Sequence, residues 1–534
     1  MKKPKKALAA KKAARVEKRK KVRPPRELSG EEIGNKKRKK LRQPKPVAKE
    51  SDIDVKEQSF SAVDARALVY SRRVDKIDKD LGLSTSLNKQ PRMSTGLLAF
   101  DQLLGSGYVP GFNVVFGAEA SAKSTACMTT LGSSIRMPIP VRKYFDAEGA
   151  IDRRYTGNIL RSDSFDDIFG SRSRTGEWIK PPLCRYHDTN IIQEVFRDVH
   201  RIAKFMPDKV FRPEVGENGE WFLVFDRTKE QVALLKELKL TPSKSLYQKT
   251  AKYWCSVGDD DSPQAAVFID SLPSLIPQEI DEESMSDKAR AIEARYLSQY
   301  MKLVRGDLRP KAIVLLAVNQ LRSNPNPQPG SMDWYEPGGN AIKFASDTRT
   351  MFTSRVPLDN FPRFKDNKGL CEEPSLEFPG GTDLYAFKGM TNYKNKYGTP
   401  GRKSAGRVLI KDGSGAARGF DTVYDTFKFL DTCGVIQGPI HDSRRRFRID
   451  LKPVRDVEWS WPMFKACILA NDGGNRAVRA KAQELGAPKF DLRKFCKKLV
   501  ETGRSEELMI KAAVASRQKA AEIDLEADDD DGEE

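Results

Sequence analysis

The sequence predicts an α/β fold: a mostly parallel central sheet, with an added N-terminal helix and a small helical C-terminal domain. Three observations predict it. From Met93 onward, apolar strand-length runs alternate with helical patterns, the order that a parallel sheet requires. Two of the runs, Ala266-Val-Phe-Ile-Asp270 and Ala312-Ile-Val-Leu-Leu-Ala-Val318, are almost wholly apolar, as strands covered on both faces are. The third is the passage from Asn113 to Thr125, which leads from an apolar strand through a loop of small residues into a helix opening on Lys123-Ser124.

Taken in order, the chain begins with a tail. Residues 1–49 carry 21 of the 94 Lys and Arg but only 4 of the 74 acidic residues, so most of the net charge of +20 sits there. A segment so charged and so poor in apolar residues does not fold alone, and 1–55 reads as a disordered basic tail. It is a polyphosphate-binding arm, a localisation signal or a solvated tail. Residues 56–92 carry Val63, Ala67, Tyr70, Val74, Ile77 and Leu81 on one helical stripe, which docks on a neighbouring subunit or on its own core. The core is expected over 93–440. Its strands are expected at Asn113–Phe116, Val141–Asp146, Ala265–Asp270, Ala312–Val318 and Thr348–Ser354, with later ones near Tyr385–Lys388 and Arg407–Ile410. About 165–262 is too long for one crossover and holds a hairpin pattern over Phe211–Phe225, so part of it reads as an insertion. Residues 441–520 read as mainly helical, at Met463–Ala470, Arg476–Leu485 and Leu492–Leu499, and 521–534 as an acidic tail.

Composition narrows the class further. The seven cysteines are scattered without a Cys-x-x-Cys pair, and the three histidines are far apart, which argues against a disulfide framework or a zinc centre. No apolar run approaches membrane-spanning length, so a soluble chain in the cytoplasm, with no membrane partner, is expected.

The loop between strand and helix has the spacing of a phosphate cradle. Gly117, Ala118, Glu119, Ala120, Ser121, Ala122, Lys123, Ser124 and Thr125 would wrap backbone N–H groups around phosphate oxygens at a helix N-terminus. Lys123 would reach the terminal phosphates, and Ser124 would hold Mg²⁺. Ala122 stands where the pattern has its last glycine, a departure that costs about 1–2 kcal/mol if the turn is left-handed. Asp270 ends an apolar strand and is placed to hold the same Mg²⁺ with Ser124. Glu148 follows another strand end and is placed to orient an attacking water as general base, whereas Asp146 reads as a turn residue. Asn319 and Gln320 follow a third, where amides sense a γ-phosphate or merely cap the strand.

The order of these pieces resembles the RecA-type DNA strand-exchange recombinases, in the style of those of large phages. Ser94-Thr-Gly-Leu-Leu-Ala-Phe-Asp101 is similar to the family's lead-in to the cradle. Asp146-Ala-Glu-Gly-Ala-Ile-Asp-Arg-Arg-Tyr155 is similar to its catalytic-glutamate segment, which implies Glu148 as base and Asp152 and Tyr155 at the adenine. Phe268-Ile-Asp-Ser-Leu272 resembles the magnesium strand, and Asn319-Gln320 the γ-phosphate sensor. Ala291–Lys302 resembles the helix after a first DNA-binding loop, and Gly338-Gly339-Asn340 with Lys343 the end of a second. Tyr393-Lys-Asn-Lys-Tyr397 resembles the segment whose lysines reach a neighbour's ATP, which implies Lys394 and Lys396 as trans-acting residues. Phage relatives resemble this chain in tolerating a non-glycine at the Ala122 position.

The resemblance implies a RecA-like P-loop ATPase core that binds ATP and Mg²⁺ and forms homo-oligomeric filaments on single-stranded DNA. It also implies pairing of that strand with double-stranded DNA, with single-strand-binding or mediator proteins as further partners. In the two loops Met285, Met332, Trp334 and Tyr335 would wedge or stack on bases without sequence preference. Arg295, Lys302, Arg322 and Lys343 would hold phosphates. For Trp334 and Tyr335 the alternative is a loop anchored on the protein's own surface. A ring helicase on the same core, or a DNA-coating filament protein with little ATPase, are the rival functions.

Overall fold

The computed structural model describes residues 89–515, apart from 161, 163, 214, 244–251, 279–286, 324–333, 355–369, 379, 439–445, 453 and 473–475. The tails expected over 1–55 and 521–534, nearly all of the docking segment expected over 56–92, and Met285 and Met332 lie outside the described residues.

The continuous apolar runs become the middle of one ten-stranded sheet. In chain order its strands are β1 (Gly111–Gly117), β2 (Val141–Asp146), β3 (Arg185–Asp188), β4 (Ala265–Asp270) and β5 (Ile313–Gln320). They continue with β6 (Thr348–Thr353), β7 (Leu370–Pro374), β8 (Thr382–Asn395), β9 (Lys403–Lys411) and β10 (Gly419–Phe420). The spatial order is β10-β9-β8-β6-β1-β5-β4-β2-β3, with β7 paired to β8. Strands β6 through β3 in that order are parallel, and β7 to β10 extend the sheet antiparallel. All seven residues of β1 and all six of β4 are buried, which is why both read as unbroken apolar runs.

Helices cover both faces. On one lie α1 (Leu98–Leu104), α2 (Lys123–Ile135) and α3 (Arg153–Leu160); on the other α4 (Ile192–Phe205), α5 (Asp287–Leu308) and α6 (Gly339–Ala345). Strand alternation sorts the contacts. Val115, Val314 and Leu316 pack with Ala126, Cys127 and Leu131 of α2, while Val114, Phe116 and Leu315 pack with Val195, Phe196 and Val199 of α4.

The segment expected as an insertion divides. Strand β3 and helix α4, inside 165–262, belong to the central sheet and its covering layer. Arg185-Tyr-His-Asp188 at the sheet edge is too polar to announce a core strand. The hairpin expected within 211–225 forms as residues 208–212 and 220–225, and 253–258 completes a separate three-stranded antiparallel sheet.

The C-terminal part contains α7 (Thr422–Thr432), α8 (Trp461–Asn471), α9 (Arg476–Glu484) and α10 (Leu492–Glu501). Its core joins Phe447, Trp459 and Phe464 to Val423 and Phe427 of α7 and to Leu98 of α1. Three strands of two or three residues, 436–437, 447–449 and 458–459, accompany the helices. Among the described residues no helix is long and apolar enough to cross a membrane.

Candidate active site

Parallel register brings the carboxyl ends of four adjacent strands together. Gly117 of β1 stands opposite Gln320 of β5, and Asp146 of β2 opposite Asp270 of β4. In an open parallel sheet this edge is where ligands bind.

The loop from Ala118 to Ala122 closes on this edge. Gly117 has no room for a side chain, because a Cβ would lie 2.2 Å from the Phe352 carbonyl oxygen of β6. Ala120 and Ala122 both take left-handed backbone, with φ of 54° and 70°. The turn that the sequence pattern assigns to glycine is therefore left-handed here, and alanine occupies it. Ser121 Oγ and Lys123 Nζ both donate to the Ala118 carbonyl, at 2.8 and 2.6 Å. No side chain caps the first turn of α2, so its N–H groups and the helix dipole point at the loop as an anion site.

Ala122→Gly tests the turn. It relieves about 1–2 kcal/mol of left-handed strain, of which glycine's freedom in the unfolded chain takes back roughly 0.4–1 kcal/mol. A thermal melt should rise by a few degrees at most; a clear fall would show that the methyl group contributes packing worth more than the strain.

Ser124 Oγ donates to Asp270 Oδ1 at 3.2 Å, and the Tyr144 hydroxyl donates to Asp270 Oδ2 at 2.9 Å. Burial pushes the Asp270 carboxyl up to about 6, and Glu148 and Asp146 nearby act in the same direction. Burial likewise pulls the Lys123 ammonium below its usual range, opposed by Asp270, Glu148 and Glu119. A desolvated carboxylate held, among the described residues, by neutral hydroxyls, with an exposed serine hydroxyl beside it, suits Mg²⁺, which takes one or two protein oxygens and completes its shell with phosphate and water.

Glu148 is exposed just beyond β2. Its Oε1 accepts from Ser271 Oγ at 2.5 Å and from Gln320 Nε2 at 3.0 Å, with Ser274 Oγ at 3.5 Å. The base and sensor candidates are thus in direct contact, although 172 residues apart in sequence. Asn319 of the same strand end donates to the Pro337 carbonyl at 3.3 Å, which ties this edge to the segment leading into α6. Ser271, Ser274 and Tyr144 were not singled out from sequence as site residues. Ser271 follows Asp270 directly and Tyr144 lies two residues before Asp146, so their positions carried a signal that their residue types did not.

Asp146 accepts from the backbone N–H groups of Ala150 and Ile151 and from the Tyr186 hydroxyl, as a turn residue does. Asp152 accepts from Tyr155 N at 2.6 Å at the start of α3. The Tyr155 hydroxyl meets Thr125 Oγ1 at 2.8 Å, which places the ring against the first turn of α2.

The expected DNA-facing residues among those described are mostly at the surface. Arg295, Lys302, Arg322, Tyr335, Gly339 and Asn340 are exposed, and Lys343 is half-buried. Residues 322–323 and 334–335 pair antiparallel and close the base of the second loop. Trp334 is half-buried, 6.2 Å from the ring of Phe116 and 6.4 Å from that of Tyr393 between centroids. It is anchored on the protein's own surface in this structure, and Tyr335 beside it is the more exposed ring. Gly338 takes φ 82°, and a Cβ there would lie 2.3 Å from Ile342 Cδ1 of α6, so the entry to that helix favours glycine.

Lys394 donates to the carbonyls of Lys343 and Phe344 at the end of α6, at 2.7 and 3.2 Å. Lys396 pairs with Asp347 at 2.7 Å, which Arg309 also meets. Within this chain, then, the partners of the two lysines lie at the end of α6 and at Asp347, not on the 118–122 loop.

No family model matches the chain. Curated relatives do. It is 25% identical to Protein RecA of Mycoplasma pneumoniae over 259 residues, 48% of this chain and 54% of that protein. It is 22% identical to Protein RecA of Leptospira biflexa over 303 residues, 55% and 59% of the two chains. A third, Protein RecA of Pseudomonas fluorescens, is 22% identical over 261 residues, 48% and 53%. The chain spans a little more than half the length of these relatives, and the similarity is that of a distant RecA-like protein.

Proposed function

We propose that this chain is an ATP-dependent DNA strand-exchange recombinase of the kind that large phages also carry. In this reading it assembles as a filament on single-stranded DNA with ATP between neighbouring subunits, and offers the bound strand to a duplex. The observation that carries the reading is the contact of Gln320 with Glu148, beside the Ser124–Asp270 pair and on the same strand end as the Asn319–Pro337 bond. It gives one strand end a hold on both the general-base candidate and the loop segment that would face DNA.

The roles follow from position. The N–H groups at the start of α2 and the Lys123 ammonium hold the phosphates. Ser124 and Asp270 would hold Mg²⁺, which would supply neutralisation of the charge developing on the phosphate oxygens. Glu148 accepts the proton of an attacking water, and Ser271 fixes the orientation of its carboxylate. Gln320 exchanges its bond to Glu148 for one to the γ-phosphate, and the shift passes through Asn319 to Pro337 and the second loop. Tyr155 stacks on the adenine. Lys394 and Lys396 leave their partners at the end of α6 and at Asp347 for a neighbour's nucleotide. Exposed Arg295, Lys302 and Arg322 contact DNA phosphates, which suits binding without sequence preference.

Phosphate release measured with and without single-stranded DNA tests the reading. Stimulation of ATP hydrolysis by single-stranded DNA is expected. No hydrolysis with single-stranded DNA present would favour an inert coating protein, and hydrolysis indifferent to DNA would contradict the coupling of the nucleotide site to DNA.

A further inference from the structure

We infer that Lys388 is a second lysine of the phosphate cradle, contributed by β8 of the same chain, and that it favours nucleoside triphosphate over diphosphate; the inference rests on the reading of 117–125 as a nucleotide site. The evidence is geometric. Lys388 Nζ donates to the Ala120 carbonyl at the tip of the loop at 2.9 Å, and Ser354 Oγ donates to the same oxygen at 3.3 Å. Lys123 meets the Ala118 carbonyl two residues earlier in the loop. Two ammonium groups, 265 residues apart in the chain, therefore hold neighbouring carbonyls of one small loop.

The sheet explains how Lys388 arrives there. Strand β6 lies beside β1, with Phe352 opposite Gly117, and β8 lies beside β6, with Met390 opposite Phe352. Lys388 and Met390 share a face of β8. Met390 packs into the core under α2 with Phe352 and Ala126, so Lys388 stands on the same face, where the loop closes over it.

A structural pin alone does not account for a lysine here. Ser354 already donates to Ala120, and a neutral donor would hold a carbonyl without desolvating a charge. Lys388 is half-buried, and burial pulls its ammonium below the usual range, with no carboxylate among the described residues opposing it. An ammonium has three N–H donors. One is taken by Ala120, and among the described residues no other acceptor takes the rest, which leaves them for an anion at the loop tip. The terminal phosphate of a triphosphate is the anion such a loop presents.

Binding of a fluorescent ATP analogue and of fluorescent ADP, measured on the full chain with Mg²⁺, tests the inference for wild type, Lys388→Met, Lys388→Arg and Lys123→Ala. Lys388→Met should weaken the triphosphate about tenfold more than the diphosphate, the loss of one charged hydrogen bond, and Lys388→Arg should recover most of it. Equal weakening of both nucleotides, or none, with a folded protein by thermal melt would overturn it. If wild type binds neither nucleotide, the nucleotide-site reading itself fails. If wild type binds and Lys123→Ala does not, while Lys388→Met matches wild type, only the role of Lys388 fails.

Discussion

Replacing Lys123 by alanine should lower DNA-stimulated ATP hydrolysis at least about a hundredfold, the scale of losing one preorganised donor to developing charge, without destabilising the fold. The two halves of this result come from the same burial. Lys123 is 8% exposed, and its hydrogen bond to a loop carbonyl is 2.6 Å. Burial already disfavours the charged form, as the lowered ammonium shows, so the fold gains little from holding this group. A buried ammonium at the mouth of such a loop is the kind of group that binds an anionic ligand. The checks are phosphate release and a thermal melt on the same preparation. Hydrolysis within a few-fold of wild type would remove Lys123 from the site, and a collapse in melting temperature would make its role structural.

The largest loss of stability is expected away from the site, at Arg407→Ala. Arg407 on β9 is 1% exposed. Its guanidinium pairs with Glu373 of β7 and bonds Asp421 through Nε at 2.8 Å. It lies 4.0 Å from the centre of the Tyr385 ring and 4.7 Å from that of Tyr424. Asp421 in turn accepts from Val423 and Tyr424 N–H and caps α7. Removing the arginine leaves two buried carboxylates without their cation, a change worth about 3–5 kcal/mol. That is a large part of the roughly 5–15 kcal/mol that holds a typical domain folded. Chemical denaturation should show the midpoint falling accordingly, and a loss below about 1 kcal/mol would mean that water or a rearranged side chain satisfies the pair. Strand β9 is the partner of β8, which carries Lys388 and Lys394, so weakening it should also impair nucleotide binding.

The middle of the central sheet was legible in sequence, through two-sided burial in β1, β4 and β5 and through the apolar end of β2. Val141–Asp146 and Ala265–Asp270 form at the expected residues, and β1 and β5 differ by one or two residues at their ends. Strand β8 runs for 14 residues where only Tyr385–Lys388 was expected, because Lys388, Tyr393 and Lys394 interrupt its apolar pattern with side chains that serve other elements. Residues 253–258 were missed because a strand that pairs with residues some thirty positions earlier carries no turn signal of its own. The C-terminal core extends back to α7 and Leu98, a packing that periodicity along one helix does not reveal. At the candidate site, the sequence pattern singled out Lys123, Ser124, Glu148, Asp270 and Gln320 as candidates. It did not reveal that Gln320 touches Glu148 or that Lys388 reaches Ala120, because register between strands decides both. Ala122 was legible as a departure, but only its φ of 70° turns that departure into a definite strain.

Strand pairing itself is the most direct test of the recombinase reading. A labelled single-stranded oligonucleotide is incubated with this protein and a supercoiled duplex containing the matching sequence, with and without ATP and Mg²⁺. Joint molecules that form only with ATP, and not with Lys123→Ala, are the expected result. Unwinding of a forked duplex without joint molecules would contradict the reading and make the chain a helicase. Joint molecules formed equally well without nucleotide would contradict the coupling of the 117–125 loop to DNA.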